Sequence, residues 1–328
     1  FYMFEETDTS TPVAYNGEKK LVSGILAVTQ AESPIACVTV NHGEPFTTDA
    51  ERASSAALLS MLQDAGYIVS AIDLSNQEIP EDCRMLFIYN PSDDFLVKEE
   101  GISDKSEIEK IDRFLDGNNA MAVFMDPATP RLPHLEEYLE EWGISFMREE
   151  NVSGKLESCV VQDNAHSLTT DGMTIIGAYT SGGLGASIHK DLRTQFPPKV
   201  IFKDAMPIKY ADGYQLTEYV NEDDKTDRFT YGSFYRDGAS RDIYDVFVSY
   251  ADAKAMAGGR EIGTATEADP YKLMTVSRET RMVTNTDPDY SYVLACGSTG
   301  FLGTKMLQSN VYGNTDVMLS AMLSLIHI

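Results

Sequence analysis

Ile35-Ala36-Cys37-Val38-Thr39-Val40 is a short apolar run, rich in β-branched residues, that breaks off at the polar turn Asn41-His42-Gly43-Glu44. A run of this kind reads as a strand buried on both faces. The segments after it repeat the theme. Residues 48–65 predict a helix, because Leu58, Met61, Leu62 and Ala65 recur at helical spacing and Gly66 follows as a stop. Residues 67–72 predict a second strand. Residues 84–89 predict a third, entered from the turn Glu78-Ile79-Pro80 and halted by Asn90-Pro91-Ser92. Asp104-Lys105-Ser106-Glu107 resembles a capping box ahead of a helix carrying Ile108, Ile111 and Leu115 as far as Gly117. Residues 120–125 make a fourth strand closed by Asp126-Pro127, and Leu135, Leu139 and Trp142 mark a helix ending at Gly143. Strands alternating with helices predict an α/β fold with an open, mostly parallel sheet covered on both faces.

On the N-terminal side, residues 1–15 lack a clear period and predict an extended lead-in, while Leu21, Ile25 and Val28 place a short helix over 18–29. On the C-terminal side the pattern changes at about residue 150 to β-prone runs separated by Gly, Asp and Asn. The expected organisation is an α/β domain over 1–150, a β-rich mixed region over 151–290, and a strand and helix over 291–328 that rejoin the α/β sheet. In the last of these, Asn314 is positioned to cap a helix whose Met318, Ala321, Met322 and Leu325 share a face.

Composition narrows the function. The 328 residues are 43% hydrophobic, enough for a sizeable core, so the chain is not of the disordered class. Against 51 Asp and Glu stand 26 Lys and Arg, a net charge of −25 that repels phosphate backbones and anionic lipid surfaces. Nucleic acid is thereby disfavoured as a partner. The apolar stretches at 85–89 and 318–326 fall short of the roughly 20 residues that span a bilayer. The chain opens at Phe1 rather than Met, as a processed product or fragment would. Cys37, Cys83, Cys159 and Cys296 are widely spaced, with no C-x-x-C pair, and read as buried thiols.

In open α/β sheets ligands gather at the carboxyl ends of the strands. That edge makes His42, Glu44, Asn90, Ser92 and Asp126 the candidate ligand-binding residues. His42 and Glu44 have the chemistry of a metal ligand or an acid–base pair, but one His without a second ligand at a diagnostic spacing does not define a metal site. Ser92 lacks the flanking glycines of a nucleophile elbow. Ser181-Gly182-Gly183-Leu184-Gly185 lacks the ending of a phosphate-binding loop, and Gly297-Ser298-Thr299-Gly300 reads as a tight turn. No catalytic residue, metal or cofactor is expected.

The order of these segments resembles the extracytoplasmic domain of the GldG family, the gliding-motility-type auxiliary proteins of ABC transporters. The resemblance rests on Gly17-Glu18 and on Val38-Thr39-Val40-Asn41-His42-Gly43-Glu44. It also rests on Ile79-Pro80 before the third strand, Asn90-Pro91 after it, Asp116-Gly117, Asp126-Pro127, and Tyr312-Gly313-Asn314-Thr315-Asp316. It covers most of the first 150 residues and the last 40. Asn41 stands where the family has a glycine, and Asn118-Asn119 replaces a glycine pair. The resemblance implies a class-I glutamine-amidotransferase-like (flavodoxin-like) fold without its catalytic apparatus. It further implies a non-enzymatic accessory subunit beside an ABC ATPase and permease, on the extracytoplasmic face of a bacterial membrane, anchored by helices outside these residues. Two other readings compete with it. One is a receptor holding a small molecule or glycan in a cleft walled by aromatic residues such as Tyr179 and Tyr210. The other is a hydrolase of carbohydrate or peptide that uses His42, Glu44 and Asp126.

Overall fold

A computed structural model describes residues 2–5, 8–15, 33–46, 48–98, 106–222, 228–236, 239–282, 288–309 and 311–326. A mixed sheet of twelve strands organises it. In chain order these are β1 (Ile35–Thr39), β2 (Ile68–Ile72), β3 (Cys83–Tyr89), β4 (Ala120–Phe124), β5 (Ile144–Phe146), β6 (Ala178–Tyr179), β7 (Ile208–Tyr210), β8 (Gln215–Val220), β9 (Arg228–Arg236), β10 (Ala239–Val248), β11 (Lys272–Met282) and β12 (Pro288–Cys296). The main path across the sheet is β8-β9-β10-β11-β12-β4-β3-β1-β2, with β6 beside β10 and with β7 pairing both β11 and β5. From β2 to β12 every pairing is parallel. From β12 out to β8 every pairing is antiparallel.

The expected open, mostly parallel, flavodoxin-like sheet is therefore corrected to a large mixed one, with smaller sheets around it. The β-rich stretch does not stand apart, because β11 and β12 join it to the parallel strands. Its strands are also the longest in the sheet, 10 residues in β10 and 11 in β11. Their charges hid their length and pairing. Arg241 lies directly across from Glu279, and Asp242 across from Arg278, in the β10–β11 register. Both pairs are closed, at 2.5 Å and 3.4 Å. Cross-strand opposite charges stabilise such a ladder while breaking the apolar alternation by which a strand is recognised.

Seven helices lie among the described residues: α1 (Asp49–Ser54), α2 (Ala56–Asp64), α3 (Glu107–Asp116), α4 (Pro133–Glu141), α5 (Gly183–Ile188), α6 (Thr304–Leu307) and α7 (Asn314–Ile326). The single helix expected over 48–65 is two. Thr48 and Glu51 form a capping box at the start of α1, and Ser55 leaves the helical conformation with its hydroxyl donated to the Pro45 carbonyl at 3.1 Å. Ser106 caps α3 by accepting from the Glu109 N–H, while Asp104 lies outside the described residues. The helix expected over 18–29 also lies outside them. In the lead-in, Tyr2–Glu5 pairs antiparallel with Asp8–Tyr15.

The parallel strands alternate their side chains between two cores. Ala36, Val38, Met85, Phe87 and Phe124 pack with Leu58, Met61 and Leu62 of α2 and Met318 and Met322 of α7. Cys37, Leu86, Ile88 and Val123 face the other way, against Ile111 and Leu115 of α3 and Leu135 and Trp142 from α4 and its end. Each large apolar side chain so buried contributes about 1.5–3 kcal/mol. All four cysteines are buried and free.

Candidate functional site

Residues 41–44 follow β1 directly. Asn41 and Gly43 both take left-handed backbone conformations, φ 83° and 80°, and fold the chain back over the sheet edge. Gly43 is required twice over, since a Cβ there would also stand 1.9 Å from Ser92 Oγ. The tight approach lets the His42 carbonyl accept the N–H groups of Ser92 and Asp93, at 2.7 and 2.9 Å.

The His42 imidazole lies between two carboxylates. Its Nε2 is 3.0 Å from Glu107 Oε2, and its Nδ1 is 3.6 Å from Glu44 Oε1. One ring face stacks on Phe95 at 4.0 Å and 6°. The side chains of His42, Glu44 and Glu107 are only 6%, 0% and 1% exposed. Glu44 Oε2 also accepts the His42 N–H at 2.8 Å, and Glu107 Oε2 accepts the Leu96 N–H at 2.7 Å. Burial by itself pulls the His42 pKa down. The hydrogen bonds and charges of Glu107 and Glu44 overcome it and raise the pKa to about 9. Burial likewise pushes Glu44 up, but hydrogen bonds from His42, Thr39 and the backbone hold it below the ordinary carboxylate range. At neutral pH the group is an imidazolium clamped by carboxylates. A histidine that keeps its proton to about pH 9 beneath a phenylalanine is poorly suited to act as a general base. It is well suited to fastening the loop after β1, the segment 92–96 and the start of α3 to one another.

Asn90 and Asp126 belong to an adjoining network. The Thr129 hydroxyl donates to Asn90 Oδ1 at 3.1 Å and accepts from the Asp126 N–H at 3.0 Å. Asp126 accepts from the Thr299 hydroxyl and from the Ala128 N–H. Tyr89 donates to the Thr299 carbonyl at 3.2 Å. This ties the ends of β3 and β4 to the turn after β12. His42, Glu44 and Ser92 thus come together, and Asn90 and Asp126 come together. The hydrogen bonds of Asp126 go to Thr299, Ala128 and Thr129 rather than to His42 or Glu44. Ser92 is exposed, with its backbone N–H given to His42.

Glu107 is the residue that sequence reasoning missed. Its place in the first turn of α3 reads as a capping role, and nothing local signals a partner 65 positions away. Among the described residues no group of three or more His, Cys, Asp or Glu is arranged to hold a metal ion. No helix among them is long and apolar enough to cross a membrane.

A second feature lies in the antiparallel half. Tyr179 and Tyr210 line one cleft of about 440 Å³ together with Phe229, Tyr244, Asp245 and Lys272. Ser181 and Gly182 of the glycine-rich segment 181–185 form part of its wall, and the glycines of the segment answer to packing. A Cβ on Gly185 would stand 1.9 Å from the Asp245 carbonyl oxygen. Tyr210 Oη donates to Asp245 Oδ1 at 2.9 Å, and Lys272 Nζ sits 4.6 Å above the centre of the Tyr210 ring. Burial, first among several influences, raises the Asp245 pKa.

No family model matches the chain, and no curated protein matches it. Among solved structures it is similar to the "mmIFT52 N-terminal domain", at 11% identity and a TM-score of 0.54, covering 90% of this chain and 98% of that one. It is more distantly similar to the cytoplasmic protein STM3548 from Salmonella typhimurium, at 10% identity and a TM-score of 0.41 over 88% and 97% of the two chains. A third likeness is to PurLQS from Thermotoga maritima, at 12% identity and a TM-score of 0.36 over 90% and 100%. At these identities the first likeness shows a shared fold and nothing of function, and the other two carry no argument.

Proposed function

We propose that the chain works by binding or scaffolding rather than by catalysis, as the extracytoplasmic part of an accessory subunit beside an ABC ATPase and permease. One observation carries the first half of this reading. The His-Gly-Glu motif, whose residue types best fit acid–base chemistry, is buried, with its imidazole set between Glu44 and Glu107 and stacked on Phe95, where it joins three segments of the chain. The transporter context rests on the order of sequence motifs and includes anchoring outside residues 1–328. The test is to express the full-length gene product with a tag in its native membrane, solubilise it gently and identify what co-purifies. Stoichiometric recovery of an ABC ATPase and permease supports the reading, and recovery of the protein alone removes it. A receptor role is the second reading, favoured by the aromatic-walled cleft at Tyr179 and Tyr210.

A further inference from the structure

The cleft in the antiparallel half has an unusual distribution of charge. Two half-buried groups of opposite sign, Asp245 and Lys272, both line it, yet they form no ion pair with each other. Asp245 has one carboxylate oxygen held by the Tyr210 hydroxyl. Lys272 rests its ammonium on the face of the same ring, and no carboxylate among the described residues is paired with it. Tyr210 therefore stands between a carboxylate and an ammonium and keeps them apart. Burial disfavours the ionised Asp245 carboxylate, and the Lys272 ammonium has no direct counter-ion among the described residues. A bound molecule bearing both signs would favour the charged form of the first and pair the second. The exposed rim is also of mixed sign, with Arg228 against Glu218, Glu267 and Asp269. A simple anion would meet the carboxylates, and a simple cation would meet Lys272 and Arg228.

We infer that this cleft binds a small zwitterion of the amino-acid type, its ammonium against Asp245, its carboxylate against Lys272 and its side chain against the rings of Tyr179 and Phe229. The volume of about 440 Å³ lies within the range of small-molecule sites and leaves room for a side chain or a second residue. The inference does not depend on the transporter reading, because its test is made on the isolated 328-residue chain.

The standard L-amino acids are screened one at a time by thermal melting. The best is then measured by calorimetry beside its decarboxylated amine and its deaminated acid. The expected result is that at least one amino acid raises the melting temperature, and that the amine and the acid each bind at least about tenfold more weakly. Asp245→Asn and Lys272→Met should each weaken binding of the amino acid by a similar factor. Lys272→Met nearly keeps the side-chain length and leaves the Tyr210–Asp245 bond in place, so it carries the test if Asp245→Asn impairs folding. The inference is overturned if no amino acid shifts the melting temperature. It is equally overturned if the amine or the acid alone binds as tightly as the amino acid, or if Lys272→Met binds it unchanged.

Discussion

Replacing His42 with glutamine removes the imidazolium shared by the buried carboxylates of Glu44 and Glu107 and leaves a neutral group of similar reach. The rise of the His42 pKa from 6.5 to about 9 corresponds to about 3 kcal/mol of folding stability at full protonation. Breaking a buried ion pair by removing one partner costs about 3–5 kcal/mol, which agrees. Because the folded pKa lies above the unfolded one, this contribution is complete below about pH 6.5. It declines as the unfolded chain loses its proton first, and it is gone above about pH 9. The expected outcome is that His42→Gln lowers stability by about 3 kcal/mol at pH 6 and by under about 1 kcal/mol at pH 10. For a chain of 328 residues the loss at pH 6 lowers the melting temperature by about 4–5 °C. Urea titrations and melting curves of both proteins at the two pH values make the comparison. A variant whose deficit is the same at both pH values would refute a charged His42 and leave only its packing on Phe95.

Three further perturbations test the surrounding structure. Gly43→Ala combines a left-handed backbone with the Ser92 clash and should cost about 2 kcal/mol or more, and adding Ser92→Gly should recover only the clash when the melting temperatures are compared as a double-mutant cycle. Glu279→Gln takes the carboxylate from both Arg241 and Arg281 at a buried point of the antiparallel sheet and should destabilise by about 3 kcal/mol in urea, whereas an unchanged midpoint would mean that the pairs add nothing. Asn314→Ala frees the Ile201 N–H and the carbonyls of Ile201 and Phe301, so a loss of about 2 kcal/mol should accompany faster hydrogen exchange at Ile201, and unchanged exchange would deny Asn314 that role.

The central parallel strands β1, β3 and β4 were legible because they are buried on both faces and so read as unbroken apolar runs, as in residues 35–40 and 120–125, whereas β2 lies at the sheet edge with most of its residues exposed. A β-rich region after residue 150 was legible too, but the extent and pairing of its strands were not, because β10 and β11 place Arg and Glu opposite one another where a single sequence shows only isolated charges. The same limit applies at the candidate site. His42 and Glu44 are neighbours in sequence and could be named together, but Glu107 and Phe95 reach the imidazole only after loops have closed. Asn314 has the residue type and position of a helix cap, yet its side chain is spent on Ile201 and Phe301, partners chosen by tertiary packing. Tyr179 and Tyr210 were visible as aromatic residues, while the opposed charges of Asp245 and Lys272 around Tyr210 became visible only in three dimensions.

The seam between β4 and β12 also governs how the protein is born. β4 ends at Phe124, and the strand that covers its open side does not begin until Pro288. During synthesis at about 5–20 residues per second, β4 waits about 10–30 s for that neighbour. All five of its residues are apolar and buried in the finished fold. An unpaired edge of this kind invites association with other nascent chains. A ribosome stalled within residues 125–287 therefore releases a sticky half-sheet, and the yield of native protein should depend on chaperones that shield that edge more than on the stability of the completed molecule.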